Sequence, residues 1–319
     1  MNTVASTQPL PARKVTDRIG DLALEGLTAA AAAAAALLLG AIAWKIFDAA
    51  WPAIQKFGLG FVTHQGWDVG KNDFGALDFI WGTMLTSFLA LAIAGPISIA
   101  IGLYLSELAP RGVRLVLASL VELLAAIPSV VLGLWGILVL GPFVGKHVEP
   151  WLHDHLGFIS LFSGTPQNAG ILVAVLVLTI MIVPICSSIC RELFLSVPSE
   201  LEEGALALGA TRWEMVRGVV LPYTRSGVSA ALILGLGRAV GEAIAVTQVI
   251  GAGFGVHWSL FATGDTLASR IAGQYPGESN LQIASLVYLA AILLVISLIV
   301  NLIAQLIVRR FSYERLGAD

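Results

Sequence analysis

Six separate stretches of this chain stay apolar for 20 residues or more, and that repetition limits the fold more than any single motif does. They run roughly 22–47, 79–105, 114–142, 169–190, 226–250 and 281–308. Each is long enough, as a helix, to cross a hydrocarbon core of ~30 Å. In lipid every backbone polar group must be satisfied within the protein, so a continuous apolar run of this length is expected to be helical. The predicted fold class is therefore an all-α membrane protein with six transmembrane helices. Composition agrees: 57% of residues are hydrophobic and 12% charged, a balance outside the range of soluble domains. The first run contains eight consecutive alanines at 29–36. It is too long for the apolar core of a signal peptide, and Asp17, Asp21 and Glu25 lie in or beside its basic flank, so it is expected to be retained as the first helix. The segment 15–27 is expected to begin as an amphipathic helix at the inner surface.

Lysine and arginine orient these spans. Arg13, Lys14 and Arg18 precede the first run, Arg111 and Arg114 follow the second, Arg191, Arg212, Arg217 and Arg225 follow the fourth, and Arg309, Arg310 and Arg315 follow the sixth. Lys45, Lys56, Lys71, Lys146 and Arg270 fall on the opposite side, although its loops are longer. The excess of positive charge predicts that both termini are cytoplasmic. The expected organisation is a cytoplasmic tail at 1–21, a transmembrane domain at 22–310 with its main inner loop at 191–225, and a cytoplasmic tail at 311–319. Trp44, Trp51, Trp67, Trp81, Trp151 and Trp258 fall near outer span ends or in outer loops, where an interfacial aromatic belt accounts for most of them.

The inner loop carries its own start and stop signals. Ser199 with Glu202, and Thr211 with Glu214, have capping-box spacing. Pro198 stops the helix before them, and Gly209 stands where a left-handed residue would end a first short helix. Pro222 marks the passage from a second short helix to the fifth span. A helix–turn–helix outside the bilayer points to something that docks on it.

Three ionisable residues fall inside predicted spans: Glu122, Arg238 and Glu242. A charge at the centre of a span costs ~2.5–3.5 kcal/mol on insertion scales, so each needs a protein or water partner. Glu122 is expected to snorkel or to bond a neighbouring helix. Arg238 and Glu242 are four residues apart and fall on one helical face, with Gly237 and Gly241 beside them as a small-residue pair that permits close approach of another helix. Two roles fit the pair: a buried structural ion pair, or an arginine facing the transport pathway and meeting an anion, with Glu242 tuning it. Pro128 and Pro96 each remove a backbone donor and are expected to kink the third and second spans.

Other candidates are weaker. Cys186 and Cys190 lie one turn apart and are expected to be packing residues. His147, His153 and His155 have no fixed helical context and are expected to be solvated. No G-x4-G-K-[ST] phosphate loop occurs, so ATP and its Mg2+, if used, are expected on another chain. The chain is expected to be no enzyme and to bind no nucleic acid.

Three motifs carry a family resemblance. Glu203-Gly204-Ala205, Gly209 three residues on, and Val219-x-Leu221-Pro222 resemble the EAA loop of bacterial ABC-importer permeases, with Gly204 in place of the middle alanine and Val219 in place of isoleucine. ELLAAIPSVVLGLWG at 122–136 and GLGRAVGEAIAVTQVIG at 235–251 are similar to the PstC type within the phosphate-importer branch. The similarity spans nearly the whole chain apart from the N-terminal tail. It implies a bacterial inner-membrane permease subunit of an ATP-driven phosphate importer, paired with a PstA-type permease, two copies of a PstB-type ATPase and a periplasmic phosphate-binding protein. It implies that Glu202, Glu203, Gly204, Ala205, Gly209, Leu221 and Pro222 belong to the ATPase-coupling loop, and that Arg238 and Glu242 serve phosphate transport. A sister PstA-type subunit or a sulfate or molybdate permease would share the intramembrane arginine. A secondary transporter would leave the inner loop without a role.

Overall fold

A computed structural model describes residues 15–313 of the protein. Arg13, Lys14 and Arg315, counted in the charge bias, lie outside the described residues. Six described helical stretches are long and apolar enough to cross a membrane: 20–57, 77–108, 129–156, 171–195, 212–241 and 280–306. Contacts divide the chain into two units, 1–48 and 49–319. The first is described from Val15, where α1 (Val15–Phe57) begins. The helix therefore starts within the tail predicted at 1–21 and runs ten residues past the predicted end of the first span.

In the second unit a short antiparallel pair, β1 (Trp67–Asp68) and β2 (Asp73–Phe74), leads into α2 (Leu77–Leu103), which ends in a π-helical turn at Tyr104–Leu108. The chain then forms α3 (Arg111–Ala125), breaks, and starts α4 at Ser129, continuing to Leu156 through two π-helical turns. This corrects the predicted third span at 114–142. Pro128 is extended (φ −60°, ψ 139°) and caps α4, because proline cannot donate to the preceding turn and disfavours helical backbone in the residue before it. The crossing stretch consequently shifts by about 15 residues toward the C-terminus and takes in half of the segment 143–168 that was expected to be an outer loop. The π-helical turns Gly136–Leu140 and Val144–Val148 flank Pro142. A widened turn is a common way to pass a residue that has no N–H.

α3 is amphipathic rather than spanning. Arg114 donates to the carbonyl of Ser106, and Glu122 is exposed and lies 3.6 Å from Arg191 at the inner end of the next helix. Glu122 is thus not inside a span, but it does bond a neighbouring helix, as its charge requires.

The centre of the bundle is α5 (Ile171–Leu195), which is apolar on all sides and the most buried of the six. Small residues on α2 let it approach closely. A side chain added at Gly102 would stand 2.9 Å from the Cβ of Cys190. Cys186 donates to the carbonyl of Ala231 at 3.3 Å, and Gly235 packs over its sulfur. Both cysteines are free and buried, in packing positions.

The inner hairpin follows: α6 (Ser199–Ala207), then α7 from Arg212 to Gly241, which includes a π-helical turn at Val216–Val220. After a break at Glu242 come α8 (Ile244–Val249), α9 (Leu267–Gln274) and α10 (Asn280–Tyr313).

The segment 251–280, read from sequence as an outer loop, is in part core. Leu260 and Phe261 are buried with α5. The carbonyls of Ala262 and Leu260 accept the N–H groups of Ile171 and Leu172 at 3.0 and 2.8 Å. These are among the first amides of α5, which have no partner inside the helix, so the returning segment caps it. Arg270 is 4% exposed, lies 2.8 Å from Asp265, and is held between the rings of Phe79 and Phe254 at 4.7 and 4.6 Å. Trp67 and Trp81 are likewise structural: Trp67 is buried against Phe74 and Phe79, and Trp81 donates to the carbonyl of His257 at 2.8 Å. Trp151 and Trp258 are exposed.

Candidate functional site

Two places gather the predicted site residues. The first is the inner hairpin. The Thr211–Glu214 capping box forms: the amide of Glu214 donates to Thr211 Oγ1 at 3.3 Å and the amide of Thr211 donates to Glu214 Oε2 at 2.8 Å. The Ser199–Glu202 box does not. Pro198 is itself the N-cap of α6, so Ser199 is already in the first helical turn and its hydroxyl is one position too late. Gly209 is left-handed (φ +87°). The amide of Ala210 donates to Ala205 O at 3.2 Å and that of Gly209 to Leu206 O at 3.0 Å, which is the paired bonding of a Schellman stop. The second short helix is not separate: Arg212 starts α7, and the π-helical turn at Val216–Val220 carries the helix through Leu221 and Pro222 into the span.

Glu203, Gly204 and Gly209 are exposed, while Glu202, Ala205 and Leu221 are half-buried. Leu201 and Leu206 of α6, Leu208 at its C-cap and Trp213 at the start of α7 are exposed around them, an apolar set across the hairpin. Partial burial, followed by the charges of Glu107 and Glu203, raises the carboxyl of Glu202 above its ordinary range. A short helix with exposed leucines and a left-handed glycine stop has the features of a docking element.

The second place is the intramembrane pair. Arg238 and Glu242 lie together with 4.0 Å between Nη2 and Oε2. The predicted span 226–250 is not continuous: α7 ends at Gly241, and Glu242 is extended (φ −73°, ψ 114°). Glu242 Oε1 accepts the amide of Ala245 at 3.2 Å, so its carboxylate supports the start of α8 as well as facing the arginine. Glu242 is 9% exposed and Arg238 is 42% exposed. The two line an open pocket of about 590 Å³ with Gly237, Gly241, Ile185 of α5 and Asn301 of α10. The close helix–helix approach predicted at the two glycines is not made among the described residues. A side chain at Gly241 would meet nothing within 4 Å, and one at Gly237 only Asn301 Oδ1 at 3.8 Å. Asn301 escaped the sequence reading. A lone asparagine in a long apolar run was its signal.

The breaks at Pro128 and Glu242 also meet, since Gly133 of α4 packs on Ala245 and Gln248 of α8. His147 and His155 are stacked on Phe143 and Trp151 one turn away, each with Nδ1 on a backbone carbonyl. Among the described residues no three His, Cys, Asp or Glu side chains are grouped to hold a metal ion.

A family described as "Binding-protein-dependent transport system inner membrane component" matches residues 94–313. The chain belongs to that family. Similar curated proteins include the phosphate transport system permease protein PstC of Pasteurella multocida, 41% identical over 86% of this chain and 88% of that one. The protein of the same name from Mesorhizobium japonicum is 41% identical over 93% and 92%. Chains of solved ABC transporters also share the fold at low identity. A chain of the inward-facing MetNI methionine ABC transporter aligns with a TM-score of 0.54 at 21% identity, over 73% of this chain and 94% of that one. A chain of a bacterial ABC transporter importing the acidic polysaccharide alginate aligns with 0.58 at 19%, over 92% and 99%.

Proposed function

We propose that this chain is the PstC-type permease subunit of an ATP-driven phosphate importer and forms half of its transmembrane pathway. The observation that carries this is about 40% identity across most of the chain to proteins named as phosphate transport permeases. The intramembrane Arg238, open to a pocket of ligand size, supports it. The other half of the pathway is a PstA-type permease, and an outer phosphate-binding protein delivers the anion. The hairpin at 199–222 docks on a PstB-type ATPase dimer that holds ATP and Mg2+. Both termini and the hairpin lie in the cytoplasm, on the charge bias of the loops. Closure of the ATPase dimer moves the hairpins and switches the pathway between outward and inward access. This chain binds and orients; hydrolysis belongs to the partner.

The test is uptake of labelled phosphate against labelled sulfate in cells carrying or lacking this chain. Phosphate uptake is expected to depend on it and sulfate uptake is not. Sulfate uptake lost together with the chain would assign it to another oxyanion.

A further inference from the structure

We infer that the pocket of Arg238, Glu242 and Asn301 selects a tetrahedral oxyanion that carries a proton, with Glu242 as its specificity-determining residue and Asn301 as a further contact to the anion. The inference rests on the proposed role of Arg238 as the residue that meets the anion.

The argument is an account of donors and acceptors. Arg238 supplies up to five N–H donors. Its approach to Glu242 is 4.0 Å, too long for a hydrogen bond, so its donors remain for a ligand in the pocket. The side-chain oxygen of Asn301 stands over Gly237, 3.8 Å from where a Cβ would be, across the seam between α7 and α10. Rotation of that amide by 180° offers its two N–H donors to the same space. Glu242 differs in kind. Ionised, it only accepts. One of its oxygens takes the amide of Ala245 at 3.2 Å, and the other is the one nearest Arg238.

A carboxylate oxygen facing an anion is repelled unless the anion presents a hydrogen to it. Near neutral pH inorganic phosphate always keeps at least one P–OH, whereas sulfate keeps none. Phosphate can therefore place its bare oxygens on Arg238 and Asn301 and its hydroxyl on Glu242. Sulfate would leave Glu242 facing an oxygen lone pair, and a site built around a hydrogen bond rejects the analogue that lacks it. A positive charge alone does not discriminate between oxyanions, but the acceptor beside it does. The glycines leave the needed space, since none of the described residues lies within 4 Å of a side chain added at Gly241.

The experiment is retention of 32P-labelled inorganic phosphate by washed membrane vesicles carrying the full chain with its co-expressed partners. Vesicles lacking the chain supply the background. Competitors are unlabelled phosphate, sulfate and monofluorophosphate, which has phosphate's shape and charge but no hydroxyl at neutral pH. With the native chain, sulfate and monofluorophosphate are expected to compete at least about tenfold less well than phosphate. Glu242→Gln retains a carbonyl oxygen for the Ala245 amide and offers an N–H to the ligand, so it should bring both competitors within about threefold of phosphate. Asn301→Leu should weaken phosphate by about tenfold and leave the competitor ratios as they are. Monofluorophosphate competing as well as phosphate with the native chain, or unchanged ratios in Glu242→Gln, would overturn the inference while leaving Arg238 as the anion contact. Retention that survives Arg238→Gln would overturn the reading on which it rests. Because ratios are read, a variant that merely inserts poorly lowers all signals together and does not mimic the expected result.

Discussion

A side chain added at Gly133 would stand 2.8 Å from the Cα of Ala245 and 2.7 Å from Oε1 of Gln248. The first turns of α4 and α8, the two helices that begin at mid-chain breaks, thus touch backbone to backbone. Gly133→Ala is expected to force them apart at a cost of ~1–3 kcal/mol. Gly241→Ala, which meets open space, should change stability by less than about 0.5 kcal/mol. Melting of the two variants in detergent checks the contrast. Equal melting temperatures would mean the breaks do not pack as described.

Gly209 is left-handed and closes both hydrogen bonds of the α6 stop. A β-branched residue there is strained by ~1–2 kcal/mol. Gly209→Val should leave insertion intact, because nothing of the span is touched, and should redirect the end of α6. Co-purification of the ATPase is expected to fall, or hydrolysis to continue without transport. Normal co-purification and transport would remove α6 from the coupling role.

Glu202 gives the hairpin a pH dependence. Burial and then the neighbouring Glu107 and Glu203 raise its carboxyl, so the charged form is disfavoured in the folded hairpin relative to the unfolded one. Lowering the pH through the raised value should therefore strengthen the hairpin, and raising it should weaken it. Amide exchange in 199–207 should slow on mild acidification in the native chain. Glu202→Gln should be protected at neutral pH and respond less to acid. A larger acid response in the variant would contradict the assignment.

Arg270 was legible in the sequence only as an outer-loop charge, yet it is buried between Phe79 and Phe254 beside Asp265. Arg270→Gln leaves Asp265 buried and unpaired, which typically costs ~3–5 kcal/mol. Arg270→Met with Asp265→Asn should recover much of that loss. Folded yield and protease cutting within 251–280 report the outcome, and full stability of Arg270→Gln would place the pair at the surface.

These cases show which information is local. Gly209 and Thr211 with Glu214 were readable because each acts through its own few residues, whereas Pro128 was read as a kink and is a full break. The span limits around Pro128 were not readable, because 115–144 is largely apolar whereas 145–156 carries Lys146, His147, Glu149, His153, Asp154 and His155, so hydropathy favours joining α3 to the start of α4 over continuing α4 to its polar end. Periodicity had placed Arg238 and Glu242 on one continuous helix. Glu242 leaves the helix because it bonds Ala245 ahead of it, and because Gly133 admits α8 beside α4, a contact more than 100 residues away in sequence. Phe254 is near Arg270 in sequence, but Phe79, the other wall, is more than 100 residues away, so no window in the sequence contains both the charge and its whole cage.

Arg238 and Glu242 remain the decisive test of the pathway. Glu242 is buried and also supports α8, whereas Arg238 is open to the pocket. If the pair only holds the bundle, each single change to glutamine leaves a buried charge at a cost of ~3–5 kcal/mol, and the double change restores both yield and transport. The observed asymmetry favours the other outcome. A partly exposed arginine 4.0 Å from its acid contributes little to stability, so Arg238→Gln should assemble normally and still lose phosphate uptake. The double variant should stay inactive. Arg238→Lys should also perform poorly, because a compact ammonium cannot match the two-pronged grip of a guanidinium on an oxyanion. Uptake at the native rate by Arg238→Gln with Glu242→Gln would reduce the pair to scaffolding and move the anion path elsewhere in the assembly.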